Sequence, residues 1–108
     1  MIFAGTIPER HVAQVMLGHF DKLIAGAGDA ARKAAMPGAK LAILVSCIGR
    51  KLLLGQRIAD EVEAVSEVLG EDCRTTGFYS YGEIAPMEFS SVCDLHNQTM
   101  TITTLAET

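Results

Sequence analysis

Leu41–Cys47, LAILVSC, constrains the fold more than any other stretch of this chain. Five aliphatic residues in succession leave no polar face, and Ser46 and Cys47 continue the run without a charge. A helix on a protein surface would alternate apolar and polar residues every three or four positions. A run this short and this uniformly apolar reads as the central strand of a sheet, covered on both faces. Pro37-Gly38 before it and Gly49-Arg50 after it mark its limits.

The rest of the chain is read outward from that strand. Before it, Phe20, Leu23, Ile24, Ala27, Ala31 and Ala34 recur at intervals of three and four, the stripe of an amphipathic helix. Gly26 and Gly28 lie inside that helix, where close packing on a sheet would account for them. Met36-Pro37-Gly38 ends it. After the strand, "GRKLLLGQ" reads as a loop with at most a short strand or turn. Ile58, Val62, Val65 and Leu69 then form a second helical stripe, with Glu61 placed outside it and Gly70 as its stop. The two helices, starting near His19 and Gln56, are expected to bury Leu23, Ile24, Val62 and Val65. At the start, Ile2–Ile7 and about His11–Leu17 read as two strands around the turn Pro8-Glu9-Arg10, although residues 9–17 also fit a helical stripe. "CRTTGFYSYGEIAP" is a further extended region, and "DLHNQTMTITTL" leads into a last strand with Met100 and Ile102 on one face. The order is ββαβαββ, an α+β fold with helices on one mixed or antiparallel sheet, and residues 1–108 read as a single domain.

Bulk properties narrow the function. The net charge is −4 and the nine Lys and Arg are scattered, which argues against nucleic acid or an anionic membrane as partner. No apolar run approaches the roughly 20 residues that cross a bilayer. Cys47, Cys73 and Cys93 form no CxxC, so neither a zinc site nor a redox pair is indicated, and no cofactor is expected. Unpaired thiols fit a reducing cytoplasm. The apolar opening, Met1-Ile2-Phe3, suggests a piece of something larger.

Three motifs carry a resemblance. "CIGR" at Cys47–Arg50, "GFYSYGEIAP" at Gly77–Pro86 and "LHNQTMTI" at Leu95–Ile102 occur in order, behind "GTIPERHVAQVM". Together they resemble the C-terminal part of the FIST domain, the F-box and intracellular signal transduction family, from Phe3 to about Leu105. That family often has Pro-Glu-Gly where this chain has Pro8-Glu9-Arg10. The resemblance implies a sensory module of intracellular signalling proteins with small-molecule ligands, amino acids among them. It also implies an N-terminal half and an output signalling domain as partners.

The candidate ligand residues are Cys47, Arg50, Tyr79, Tyr81, Gly82, Glu83, His96 and Asn97. Each has a plainer reading. Arg50, just past a strand end, suits a ligand carboxylate held by two parallel hydrogen bonds, or else a surface ion pair. Alternation places Tyr79, Tyr81 and Glu83 on one face, either as an aromatic wall ending in an acceptor for an ammonium, or as half-buried strand residues. Gly82 leaves room for backbone approach. Cys47 reads mainly as core, since free Cys is among the most buried residue types. His96-Asn97 is the rim of a pocket or a turn, with Asn97 as its left-handed residue. The expectation is a binding domain and not an enzyme. Its rivals are an interaction module that dimerises through an uncovered face or sheet edge, and a Cys47–His96 enzyme that lacks an orienting acid.

Overall fold

Leu41–Cys47 forms the core of the middle strand, β1 (Ala39–Cys47), of a three-stranded sheet ordered β2-β1-β5. The computed structural model describes residues 2–86 and 92–107. The helix α1 (Phe20–Ala34) precedes β1. A short helix α2 (Ile48–Leu54), a 3-10 turn over Gly55–Arg57 and helix α3 (Ile58–Leu69) follow it. β2 (Arg74–Ser80) pairs with β1 in parallel, Leu41 opposite Arg74 and Ser46 opposite Tyr79. β5 (Met100–Ala106) pairs with the other side of β1 antiparallel, with Ser46 opposite Met100. A separate hairpin, β3 (Glu83–Pro86) and β4 (Cys93–His96), completes the described elements. The class is α+β, with helices packed on a mixed sheet.

The helices cover one face of that sheet. Ala42, Leu44 and Ser46 point toward them and are buried. Ala27 and Ala31 of α1 and Val65 of α3 close the same core, along with Cys73. Small residues on α1 let α3 lie close: a methyl group on Gly28 would sit 3.9 Å from the Ala64 carbonyl oxygen. Gly28 thus serves helix-on-helix packing, while Gly26 faces open space, and neither packs on the sheet as the sequence suggested. Gly70, at φ 81°, ends α3 and donates its N–H to the Ser66 oxygen at 2.9 Å.

Several expectations are corrected. Residues 2–19 hold no strand, so the ββαβαββ order loses its first two elements and α1 comes first. The turn at Pro8 does form, with the His11 N–H on the Pro8 oxygen at 3.3 Å and Arg10 left-handed at φ 64°. Its flanks lack a neighbouring strand to supply ladder hydrogen bonds. The single sheet is two sheets. "GRKLLLG" is helical, not a loop. The central run is covered on one face only: Leu41, Ile43 and Val45 are half-buried on the other, where Phe78 and Leu105 stay exposed. Val65 is buried as expected and Leu23 and Ile24 partly so, but Val62 is 41% exposed because α3 turns Glu61 inward in its place.

Candidate functional site

The C-terminal ends of β1 and β2, the start of α2 and the turn before β5 converge at one end of the sheet. Ser46 and Cys47 end β1, and Cys47 donates its backbone N–H to the Thr99 oxygen at 3.0 Å. Continuing into α2 swings Arg50 back under the helices, where it is 5% exposed. Its Nε donates to Glu61 Oε1 at 2.5 Å, Nη2 to the Leu23 oxygen at 2.7 Å and Nη1 to the Gln98 oxygen at 3.3 Å. Glu61 is fully buried, and its Oε2 accepts from Ser46 Oγ at 3.1 Å. One guanidinium therefore ties α2 to α1, α3 and the β4–β5 turn. This use replaces the expected bidentate grip on a ligand carboxylate, because all three nitrogens face protein acceptors.

A second carboxylate is built in alongside. Glu83 is 3% exposed, and it accepts from Ser80 Oγ at 2.5 Å and from Thr99 Oγ1 at 2.6 Å. The Ser80 bond spans three residues and bends the chain at Tyr81-Gly82. The bend breaks the alternation: Tyr81 is 91% exposed and does not share a wall with Tyr79. Gly82 lies against the β4–β5 turn, where a methyl group would stand 3.6 Å from Asn97 Oδ1. His96, paired with Glu83 across the hairpin, has its Nε2 3.0 Å from the Ala85 oxygen, so that nitrogen carries the proton. Asn97 is exposed and reaches the Ala4 oxygen at 3.5 Å. The left-handed residue of this turn is Gln98, φ 62°, not Asn97.

Tyr79 joins the first cluster. Lys51 Nζ lies 4.9 Å above its ring centroid, a cation–π distance. Burial raises the phenol pKa above its ordinary value, the Glu61 charge raises it further and Arg50 partly offsets both. Tyr79 stays protonated more readily folded than unfolded. Its contribution is intact below the unfolded pKa and is lost as pH rises through the folded one. Urea midpoints measured from pH ~9 to ~11 are expected to fall with pH. Part of that slope is expected to vanish in Tyr79→Phe.

Between α3 and β2, on the helix side of the sheet, lies a cavity of about 220 Å³. Leu44, Val62 and Met100 give it apolar walls, and Ser46, Glu61 and Tyr79 give it polar ones. A larger space of about 460 Å³ at the opposite end is lined by residues 35–40 with Val68, Leu69 and Asp72, and it contains no buried ionisable group. The smaller cavity is the one with chemistry in its wall. Sequence reasoning missed Glu61 and Lys51 here. Glu61 had one signal: it falls between Ile58 and Val65 on a helical stripe, and an acid there requires a cation such as Arg50. No group of His, Cys, Asp and Glu among the described residues could hold a metal.

The comparisons bear on this geometry. The FIST C domain family model matches residues 1–86, which takes in the Cys47–Arg50 and Gly77–Pro86 motifs. The Leu95–Ile102 motif lies beyond the match. The chain matches no curated protein and no solved structure. No described helix is long and apolar enough to cross a membrane.

Proposed function

The chain belongs to the FIST C domain family, a sensory module of signal transduction, and from that premise we propose that it binds a small metabolite of the amino-acid class. The cavity beside Ser46, Glu61 and Tyr79 carries the reading. Its volume of about 220 Å³ is below the roughly 300–1,000 Å³ typical of pockets for drug-sized ligands, which points to a smaller solute. Each oxygen of a carboxylate accepts two donors. Glu61 uses one site on each oxygen for Arg50 and Ser46, which leaves acceptor capacity for a ligand ammonium. Val62, Leu44 and Met100 take the apolar part, and Lys51 beside Tyr79 supplies a cation for a carboxylate.

The domain acts by recognition and carries out no reaction. Cys47 is buried at the β1–α2 junction as part of the core. Recognition is passed to an output signalling domain in the cytoplasm. The Arg50 clasp suits that relay, since displacement of Glu61 by a ligand reaches α1 through the Leu23 carbonyl.

The test is a thermal-shift screen of the twenty amino acids. A ligand at 100 times its dissociation constant adds about 2.7 kcal/mol. That raises the melting temperature of a domain this size by roughly 10–20 °C. In Lys51→Ala the unliganded melting temperature is expected to stay the same, while affinity for the hit drops about tenfold. A panel with no shift sinks the ligand reading.

A further inference from the structure

The cavity beside Glu61 touches more of β2 than its helix-facing side chains. Five successive residues, Thr75 to Tyr79, line it, although successive side chains of a strand point to opposite faces. The cavity therefore lies against the backbone of the strand as well. Among the described elements β2 is hydrogen-bonded on one side only, to β1, and Thr76, Gly77 and Phe78 are exposed. Every second residue of such an edge strand turns its N–H and C=O away from the neighbouring strand. No other described backbone bond reaches Arg74–Ser80.

We propose that the ligand of this site is the N-terminal end of an extended peptide, which adds to the free edge of β2 with its first residue in the cavity. The proposal rests on the ligand reading above and narrows the ligand to a peptide. Glu61 lies at the Tyr79 end of β2, because Ser46, which donates to it, is paired with Tyr79. A terminal ammonium at Glu61 sets the direction: the peptide runs from Tyr79 toward Arg74, antiparallel to β2. Its first side chain meets Leu44, Val62 and Met100. Alternation turns its second side chain to the other face of the sheet, where Phe78 is 63% exposed.

Size and polarity favour a peptide over a free amino acid. At about 220 Å³ the cavity is too small for a whole peptide but suits its first residue, and the rest needs no cavity because it lies along the strand edge. The outward groups of β2 are donors and acceptors in alternation. An amide backbone answers both, and main-chain hydrogen bonds of this kind supply affinity in strand addition. A free carboxylate only accepts, so it answers the N–H groups and leaves the carbonyls unmet. Lys51, exposed beside Tyr79, serves the first peptide carbonyl in place of a carboxylate.

Calorimetry on the unaltered chain compares leucine with leucyl-valyl-threonyl-seryl-threonine amide. The peptide is expected to bind at least about tenfold more tightly than leucine, and its N-acetylated form at least about tenfold more weakly than the free amine. N-methylation of the peptide backbone is expected to weaken binding about tenfold at the alternate residues that face β2, and to leave it unchanged at the others. The peptide, and not leucine, is expected to slow hydrogen exchange at the outward amides of β2. Leucine binding as tightly as the peptide, or N-methylation without alternation, overturns the proposal and leaves the amino-acid reading standing. Outward β2 amides already protected before any peptide is added, by residues 2–19 of the same chain or by a second copy, also overturn it. Binding of neither probe sinks the ligand reading and the proposal with it.

Discussion

Arg50→Met is expected to lower the free energy of unfolding by about 3–5 kcal/mol, because it strands a buried carboxylate. Glu61 is fully buried, and its charge is held by Arg50 Nε and by the Ser46 hydroxyl. Methionine fills much of the arginine volume, so lost packing is a minor part of the effect. The Leu23 and Gln98 carbonyls also lose their donors. For a domain of this size the melting temperature drops by roughly 15–30 °C. The double variant Arg50→Met/Glu61→Leu removes both charges and is expected to recover most of the loss, since an apolar pair of similar volume often equals a buried ion pair. Urea unfolding of the three proteins checks this. An Arg50→Met protein as stable as its parent would mean that the guanidinium does not carry the α1–α2–α3 junction.

Gly77→Ala is the second large effect. Gly77 sits opposite Leu44 in the β1–β2 ladder, and a methyl group built on it overlaps the Leu44 carbonyl oxygen. That oxygen belongs to the backbone of the central strand and cannot rotate away as a side chain would. The strands must separate, or the register must shift and carry Tyr79 out of the cavity wall. Overpacking typically costs about 1–3 kcal/mol, and a clash with backbone lies at or beyond the top of that range. Gly26→Ala provides a control of opposite sign. Nothing lies within 4 Å of its added methyl, and the helix gains about 0.5–1 kcal/mol from the better propensity. Hydrogen exchange of the Leu41–Cys47 amides, read with melting curves, separates local opening of the sheet from global loss.

What could be read from the sequence follows from how local each signal is. β1, α1 and the Gly70 stop each announce themselves within a window of a dozen residues, by apolar continuity, by a 3.6-residue period and by a left-handed cap. The Pro8 turn is equally local. The flanks of that turn have strand-like side chains, but a strand needs a partner, and sequence pattern cannot report that the partner is missing. The helix α2 was hidden for the opposite reason. Its Leu52 and Leu53 face outward, and what fixes it is Arg50 reaching Glu61 eleven positions away. The same long-range pair rotated α3 and exposed Val62. The sequence motifs at Cys47–Arg50 and Ser80–Glu83 do come together in the fold, with Cys47 opposite Ser80. The side chains facing the cavity, Glu61 and Tyr79, were legible only by half.

The two sides of β1 are completed at very different times during synthesis. β2 ends at Ser80, so β1, α3 and β2 can assemble once that residue has left the ribosome. The other side waits for β5, which ends at Ala106. At ordinary elongation rates of about 5–20 residues per second, the interval is roughly 1–5 seconds. Throughout it the most apolar strand of the protein presents a bare edge to every nascent chain nearby. Slower elongation lengthens that interval, and with it the time for which the β1 edge stands uncovered.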